Sequence, residues 1–149
     1  MTVYAENRKA YHDYEILEKY EAGLVLGGFE VKAIKNGRAS LAGARVIIRG
    51  NEAFTIGMGI SPYQASNAPE SFDGQRAVKL LLNRKEISYL ASRANQKGLT
   101  IMPLKLYNSD SKVKLEIAVA KGKKLFDKRE TIKKREDKRK MERMMKENL

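Results

Sequence analysis

A chain of 149 residues with 30 Lys and Arg against 18 Asp and Glu carries a formal charge of +12 and a pI near 9.9, a balance that calls for a polyanionic partner. Nucleic acid is favoured over membrane: no apolar run approaches the ~20 residues of a spanning helix, and no basic helix carries a bulky apolar face. With no Cys at all, disulfides and thiolate metal sites are excluded, and a reducing cytoplasm is the expected compartment.

Hydrophobic content of 42% fills one modest core, so the natural division is one domain over residues 1–120 and a basic tail over 121–149. The start, Met1–Ala10, reads as a short polar arm and lacks the apolar run of a signal peptide. Tyr11–Tyr20 (YHDYEILEKY) is predicted as a strand from the β-formers Tyr14, Ile16 and Tyr20. His12, the only histidine, has no second His or Cys to build a zinc site with and is read as structural. Gly23, Gly27 and Gly28 mark a turn or a close backbone approach. Phe29–Asn36 reads as a short helix closed by Gly37.

From Ser40 to Tyr63 the pattern is β. Ala44–Arg49 and Glu52–Ile60 flank a Gly50-Asn51 turn, a hairpin signal, and Gly57 and Gly59 suggest a bulge or bend. Gln64–Gln75 is a long polar loop of the kind that carries function or moves. Arg76–Leu82 is a strand or helix lead-in. Asn83 with Glu86 three residues on predicts a capping box opening a helix over Arg84–Lys97, which Gly98 stops. Thr100–Tyr107 and Lys112–Ala120 are strands around a turn at Asn108–Ser111. The second alternates Val113, Leu115, Ile117 and Val119 with charged or small residues, as a half-buried strand does. About six antiparallel strands with two or three helices point to a mostly β fold, a small oligonucleotide-binding-like barrel. A split sheet with helices on one face is the runner-up.

The tail holds thirteen Lys and Arg against six Asp and Glu, hence +7 of the whole charge. Lys133–Lys140 contains no apolar residue, so packing cannot hold its middle. After Gly122 it avoids Gly and Pro and is rich in helix formers. Glu130–Lys134, Glu136–Lys140 and Glu142–Lys146 pair at i,i+4 with the acid first, each contributing ~0.2–0.5 kcal/mol. Such a segment sits between coil and helix, and a polyanion tips it. Phe126, next to Asp127, Lys128 and Arg129, puts a ring among cations, the mix that stacks on a base while pairing phosphates.

Catalysis finds no support. There is no phosphate-binding GxxxxGK[ST] loop, no GxGxxG, no GxSxG and no convergent set of carboxylates for a metal. The chain is therefore expected to be a binding protein without cofactor or metal.

Several segments, in order, resemble one family. They are Asn7–Ala10 (NRKA), Tyr20–Gly23 (YEAG), Glu30–Lys32 (EVK), Ile60–Tyr63 (ISPY), Lys79–Leu82 (KLLL), Gly98–Thr100 (GLT), Pro103–Tyr107 (PLKLY) and above all Ala120–Glu130 (AKGKKLFDKRE). The series is similar to the SsrA-binding proteins, also called small protein B (SmpB). The resemblance implies a bacterial cytoplasmic factor, expected to be monomeric, that delivers transfer-messenger RNA (tmRNA) to stalled ribosomes for trans-translation. It also implies a barrel that grips the tRNA-like end of tmRNA and a tail, disordered alone, that becomes helical in the small subunit's empty mRNA channel.

Position by position, Asn7, Glu21, Leu81 and Lys112 match the family's contacts to the tRNA-like domain. Phe126 with Asp127, Lys128 and Arg129 matches the segment at the decoding centre. Lys112 suits a phosphate, Leu81 a splayed base, Asn7 a sugar or base edge, and Glu21 a base amino group or a 2′-OH. From the residues alone, Leu81 reads equally as core and Glu21 as a loop clasp. The chain departs from the family where Phe126 replaces the usual Tyr or His, where Arg76-Ala77-Val78-Lys79 has one cation fewer, and in the loop Gln64–Gln75. Two rivals stand beside this reading. One is a general ribosome-associated or single-strand RNA-binding barrel. The other is a coiled-coil scaffold, disfavoured because nine positions separate Ile132 from Met141.

Overall fold

The alternation predicted over Lys112–Ala120 becomes the strand β9 (Lys112–Gly122), and the sheet grows outward from it. This computed structural model describes residues 2–62, 73–123 and 125–147; over 125–131 and 145–147 it describes the backbone alone. In chain order the other elements are β1 (Val3–Glu6), α1 (Arg8–Asp13), β2 (Tyr14–Leu24), α2 (Gly28–Lys35), β3 (Ala39–Ser40), β4 (Arg45–Arg49) and β5 (Glu52–Ile56). They continue with β6 (Gly59–Ile60), β7 (Val78–Leu81), α3 (Arg84–Ala94), β8 (Leu99–Ser109), and, after β9, α4 (Leu125–Glu147).

Seven strands form one antiparallel sheet in the order β1-β8-β9-β2-β7-β5-β4, while β3 and β6 pair apart from it. The sheet curls until β4 approaches β8 without joining its ladder, which makes a partly open barrel. Leu115, Ile117 and Val119 of β9, Leu106 of β8 and Leu80 of β7 fill its interior. α3 packs against β4, β8 and β9 with Leu90 fully buried. Its predicted capping box is present: Glu86 N–H donates to Asn83 Oδ1 at 2.8 Å, and Asn83 N–H to Glu86 Oε1 at 3.1 Å.

Several expectations need correction. The predicted arm Met1–Ala10 contains β1 and the start of α1, and the predicted strand Tyr11–Tyr20 begins only at Tyr14. The reason lies on the outer side of β9. Ala118, expected to face out, is buried together with Ala120, Met102 and Leu104 beneath Ala10, Tyr11 and Tyr14 in a second, smaller core. α1 is the lid of that core, and a six-residue helix shows little periodicity of its own. The helix expected to reach Lys97 stops at Ala94.

The expected hairpin forms with Gly50 at φ +58° in its turn, but its second strand, expected to reach Ile60, ends at Ile56, and Gly59–Ile60 pairs with β3 instead. Gly57, at φ +77°, lies where an added Cβ would come within 3.1 Å of the Gly43 carbonyl oxygen, so a close approach and a left-handed backbone both call for glycine. Most of the loop Gln64–Gln75 lies outside the described residues.

Candidate nucleic-acid interface

α1 covers one end of the outer sheet face and leaves the other end open. Pairing register defines what the open part displays, because residues opposite one another share a face. One row runs Tyr107–Lys114–Gly23–Leu81 across β8, β9, β2 and β7. The next runs Lys105–Glu116–Glu21. Lys112 stands opposite Ser109, toward the hairpin end of the same face. Lys105, Lys112 and Lys114 thus bring three cations to one surface, the arrangement that meets phosphates.

Among the four residues singled out for RNA, three meet here. Leu81 is 56% exposed while its neighbour Leu80 is 1% exposed, which removes the core reading of Leu81. Its side chain lies over Gly23, where an added Cβ would sit 3.2 Å from Leu81 Cβ. Glycine at that position lets an apolar side chain lie flat on the sheet with one flank toward solvent. Glu21 is not a loop clasp but a mid-strand residue, and it accepts a 2.5 Å hydrogen bond from Tyr107 Oη. Lys112 is exposed at the start of β9.

Asn7 stands apart. It is 7% exposed; its Nδ2 donates to the Pro103 carbonyl at 3.0 Å, and its backbone N–H to Leu104 O at 2.7 Å. Pro103 and Lys105 bracket a shift of register in β8, and Asn7 satisfies the carbonyls that the irregularity leaves over. The residue therefore ties α1 to β8 and lines a cleft of about 320 Å³ with Lys9, Asp13 and Arg45.

Two clusters that the sequence did not reveal hold this surface in place. Glu30, on the first turn of α2, accepts two hydrogen bonds from Arg76, and Arg76 Nη2 also donates to Val25 O at 3.0 Å. Burial pushes the Glu30 carboxyl up, but Arg76 and the Gly27 N–H outweigh it and hold it below its ordinary value. Glu18 accepts from Tyr89 Oη at 2.6 Å and Tyr20 Oη at 3.0 Å, and pairs with Arg93 at 3.3 Å, fastening α3 to β2. The Tyr89 bond leads in holding the Glu18 carboxyl low. Burial first, then Glu18, pushes the Tyr20 phenol up to about 12.

The tail leaves this body at a defined point. Lys123 N–H donates to Asp13 O at 2.9 Å and Lys123 Nζ to Tyr11 O at 3.1 Å, so α1 clasps the chain just before α4. Every described side chain of α4, residues 132–144, is exposed. The side chains of Phe126, Asp127, Lys128 and Arg129 lie outside the described residues. Among the described residues no cluster of His, Cys, Asp and Glu suits a metal, and no helix is long and apolar enough to cross a membrane.

The family model described as SmpB protein matches residues 4–147. The chain belongs to the SmpB family. An SsrA-binding protein from Gloeothece citriformis (strain PCC 7424) is 53% identical over 141 residues, 95% of this chain and 91% of its own. Another from Psychrobacter sp. (strain PRwf-1) is 52% identical over 145 residues, 97% of this chain and 92% of its own. A chain from the solved structure described as "tmRNA-SmpB: a journey to the center of the bacterial ribosome" superposes with a TM-score of 0.67 at 40% identity, over 80% of this chain and 84% of that one. The SmpB match extends from the barrel through α4, so both parts belong to one family pattern.

Proposed function

We propose that this chain is a tmRNA-binding factor of trans-translation that works on the ribosome of a bacterial cytoplasm as a monomeric binding protein, not as an enzyme. The observation that carries the reading is the SmpB match over residues 4–147, which takes in both the open basic sheet and the basic tail. On this reading the sheet face grips the tRNA-like domain of tmRNA. Lys112 meets a phosphate, Leu81 lies against an unstacked base, and Glu21 accepts from a sugar hydroxyl or base amino group. Asn7 is largely buried and gives one amide N–H to Pro103, so on this reading it acts chiefly through the placement of α1.

The tail serves the ribosome. α4 has no packed face among its described side chains, so its helix is marginal in the free chain and is held when polyanionic small-subunit RNA surrounds it in the mRNA channel. Phe126, Asp127, Lys128 and Arg129 come at its start, with the ring set to stack in the decoding centre.

Sequencing the RNA that co-purifies with the native protein tests the reading, with tmRNA expected to dominate. Competition between tmRNA and bulk tRNA separates it from its rival. If bulk tRNA competes equally, the protein is a general RNA-binding barrel and the proposal fails.

A further inference from the structure

Glu21 presents a physical puzzle on a surface meant for RNA. Its cross-strand neighbour is Glu116, and like charges directly opposite one another are destabilising. Glu116 has a cation of its own, Lys19, at 3.8 Å. Glu21, among the described residues, has one side-chain partner: Tyr107, whose hydroxyl reaches Oε2 at 2.5 Å. Tyr107 stands opposite Lys114 on β9, whereas Glu21 stands opposite Glu116 on the other edge of that strand. The phenol therefore spans β9 diagonally to reach the carboxylate.

The donor is itself held. Tyr107 is only 4% exposed although it belongs to the outer face, and Lys105 Nζ lies 5.7 Å from the centre of its ring. An O–H···O bond to a carboxylate is charge-assisted, and its geometry restricts the acceptor. An exposed Glu otherwise samples several rotamers, and ordering them on binding weakens the complex. With Oε2 committed to the phenol, the carboxylate offers Oε1 in one orientation.

We infer that Tyr107 is a positioning residue for RNA: its hydroxyl fixes the Glu21 carboxylate on the open sheet so that Oε1 accepts from a single donor, a 2′-OH or an exocyclic amino group. The inference rests on the proposed tmRNA interface and adds a residue that contacts no RNA itself. It also predicts a preference. A guanine edge offers two donors side by side and is best met by both oxygens of a carboxylate, so the clamped Glu21 favours a one-donor group.

The test uses the full chain and a transcript of the tRNA-like domain of tmRNA. Affinity is measured for the unmodified protein, Tyr107→Phe, Glu21→Gln and the double variant, each with a salt titration and a thermal melt. Tyr107→Phe is expected to weaken binding about tenfold, the scale of one hydrogen bond to a charged group, with the slope of log K against log salt unchanged. In the Glu21→Gln background the same change is expected to be silent, because no carboxylate remains to be aimed. A role limited to stability would lower affinity equally in both backgrounds, and that result would overturn the inference. So would wild-type affinity of Tyr107→Phe. Failure of the unmodified chain to bind the transcript would overturn the interface itself and this inference with it.

Discussion

β9 and α4 are consecutive in the chain and opposite in what stabilises them. β9 is covered along its inner face, where Leu115, Ile117 and Val119 point into the barrel, and at one end of its outer face, where Ala118 and Ala120 lie under α1. α4 exposes every described side chain, so its helix depends on intrinsic propensity and on i,i+4 pairs of a few tenths of a kcal/mol. The contrast assigns different work to the two regions. On the proposed function, a sheet that presents Glu21, Leu81 and Lys112 to RNA gains from being rigid before binding, and a tail that enters a channel gains from a helix that only its partner holds firmly.

The largest expected effect breaks the rigid side alone. Leu115 is fully buried at the centre of the barrel, so Leu115→Ala should cost about 2–5 kcal/mol through lost burial and the cavity left behind. A denaturant melt should show that loss, while NMR shifts of Lys133–Met144 stay unchanged. Movement of both together would mean that α4 shares the barrel's cooperativity.

Next comes the Arg76–Glu30 pair. The Glu30 side chain is 9% exposed and that of Arg76 37%, so the loss is smaller than for a fully buried pair. Arg76→Ala should cost about 1–3 kcal/mol, since it leaves a largely buried carboxylate without its bidentate donor. The sign of the pH dependence follows. Glu30 is held below its ordinary value, so its contribution is present above the unfolded carboxylate range and is lost as pH falls through the folded value. In Arg76→Ala the acid limb of melting temperature against pH should flatten. At the alkaline end Tyr20 runs the other way. Its phenol is raised from 10.0 to about 12, so stability present below pH 10 is lost as pH rises through about 12, and Tyr20→Phe should reduce that loss, leaving the part due to Tyr107, Tyr89 and Tyr11, whose phenols are also raised.

How far these features were legible from the residues follows from how local they are. The hairpin at Gly50-Asn51, the Asn83–Glu86 capping box and the alternation of β9 rest on neighbours in sequence, and all are present. α1 was hidden because its stabilisation comes from Met102, Leu104, Ala118 and Ala120, about a hundred residues away. The Tyr107–Glu21 and Arg76–Glu30 bonds span 86 and 46 residues, and no spacing announces them. Pro103 inside an apolar run was the one available hint of the irregularity that Asn7 closes. Glu21, Leu81 and Lys112 came from the family resemblance; register explains why those three share a face, and why Leu81 rather than Leu80 is available to a partner.

Removing the tail sharpens the comparison at the level of binding. The cut belongs after Lys123, since β9 runs to Gly122 and Lys123 is bonded to α1. Removing 124–149 should leave affinity for the tRNA-like domain within about tenfold, roughly 1.4 kcal/mol, and the melting temperature nearly unchanged, while peptide tagging on stalled ribosomes is lost. Within the retained domain, Lys112→Ala should reduce the magnitude of the salt slope by about 0.7–0.9, one phosphate contact. An unchanged slope would take Lys112 out of the interface.

The smallest expected effect is the most diagnostic of the tail. Glu136 and Lys140 are both exposed and lie one helical turn apart in α4 with the acid first, the orientation that also suits the helix dipole. No packed neighbour shares their load, so Glu136→Gln should remove about 0.2–0.5 kcal/mol from the helix and nothing from the barrel. Against a barrel stability on the order of 5–15 kcal/mol such a change is invisible in a melt. In a helix near its own midpoint it is a measurable fall in population, read as Cα shifts over Lys133–Met144. Raising salt should produce the same fall in the unmodified chain, because exposed pairs are screened within about 10 Å at 0.1 M, and should add little in the variant. A helix that ignores both the substitution and the salt would have a packed face holding it, and the division between a preformed grip and a tail structured by its partner would not stand.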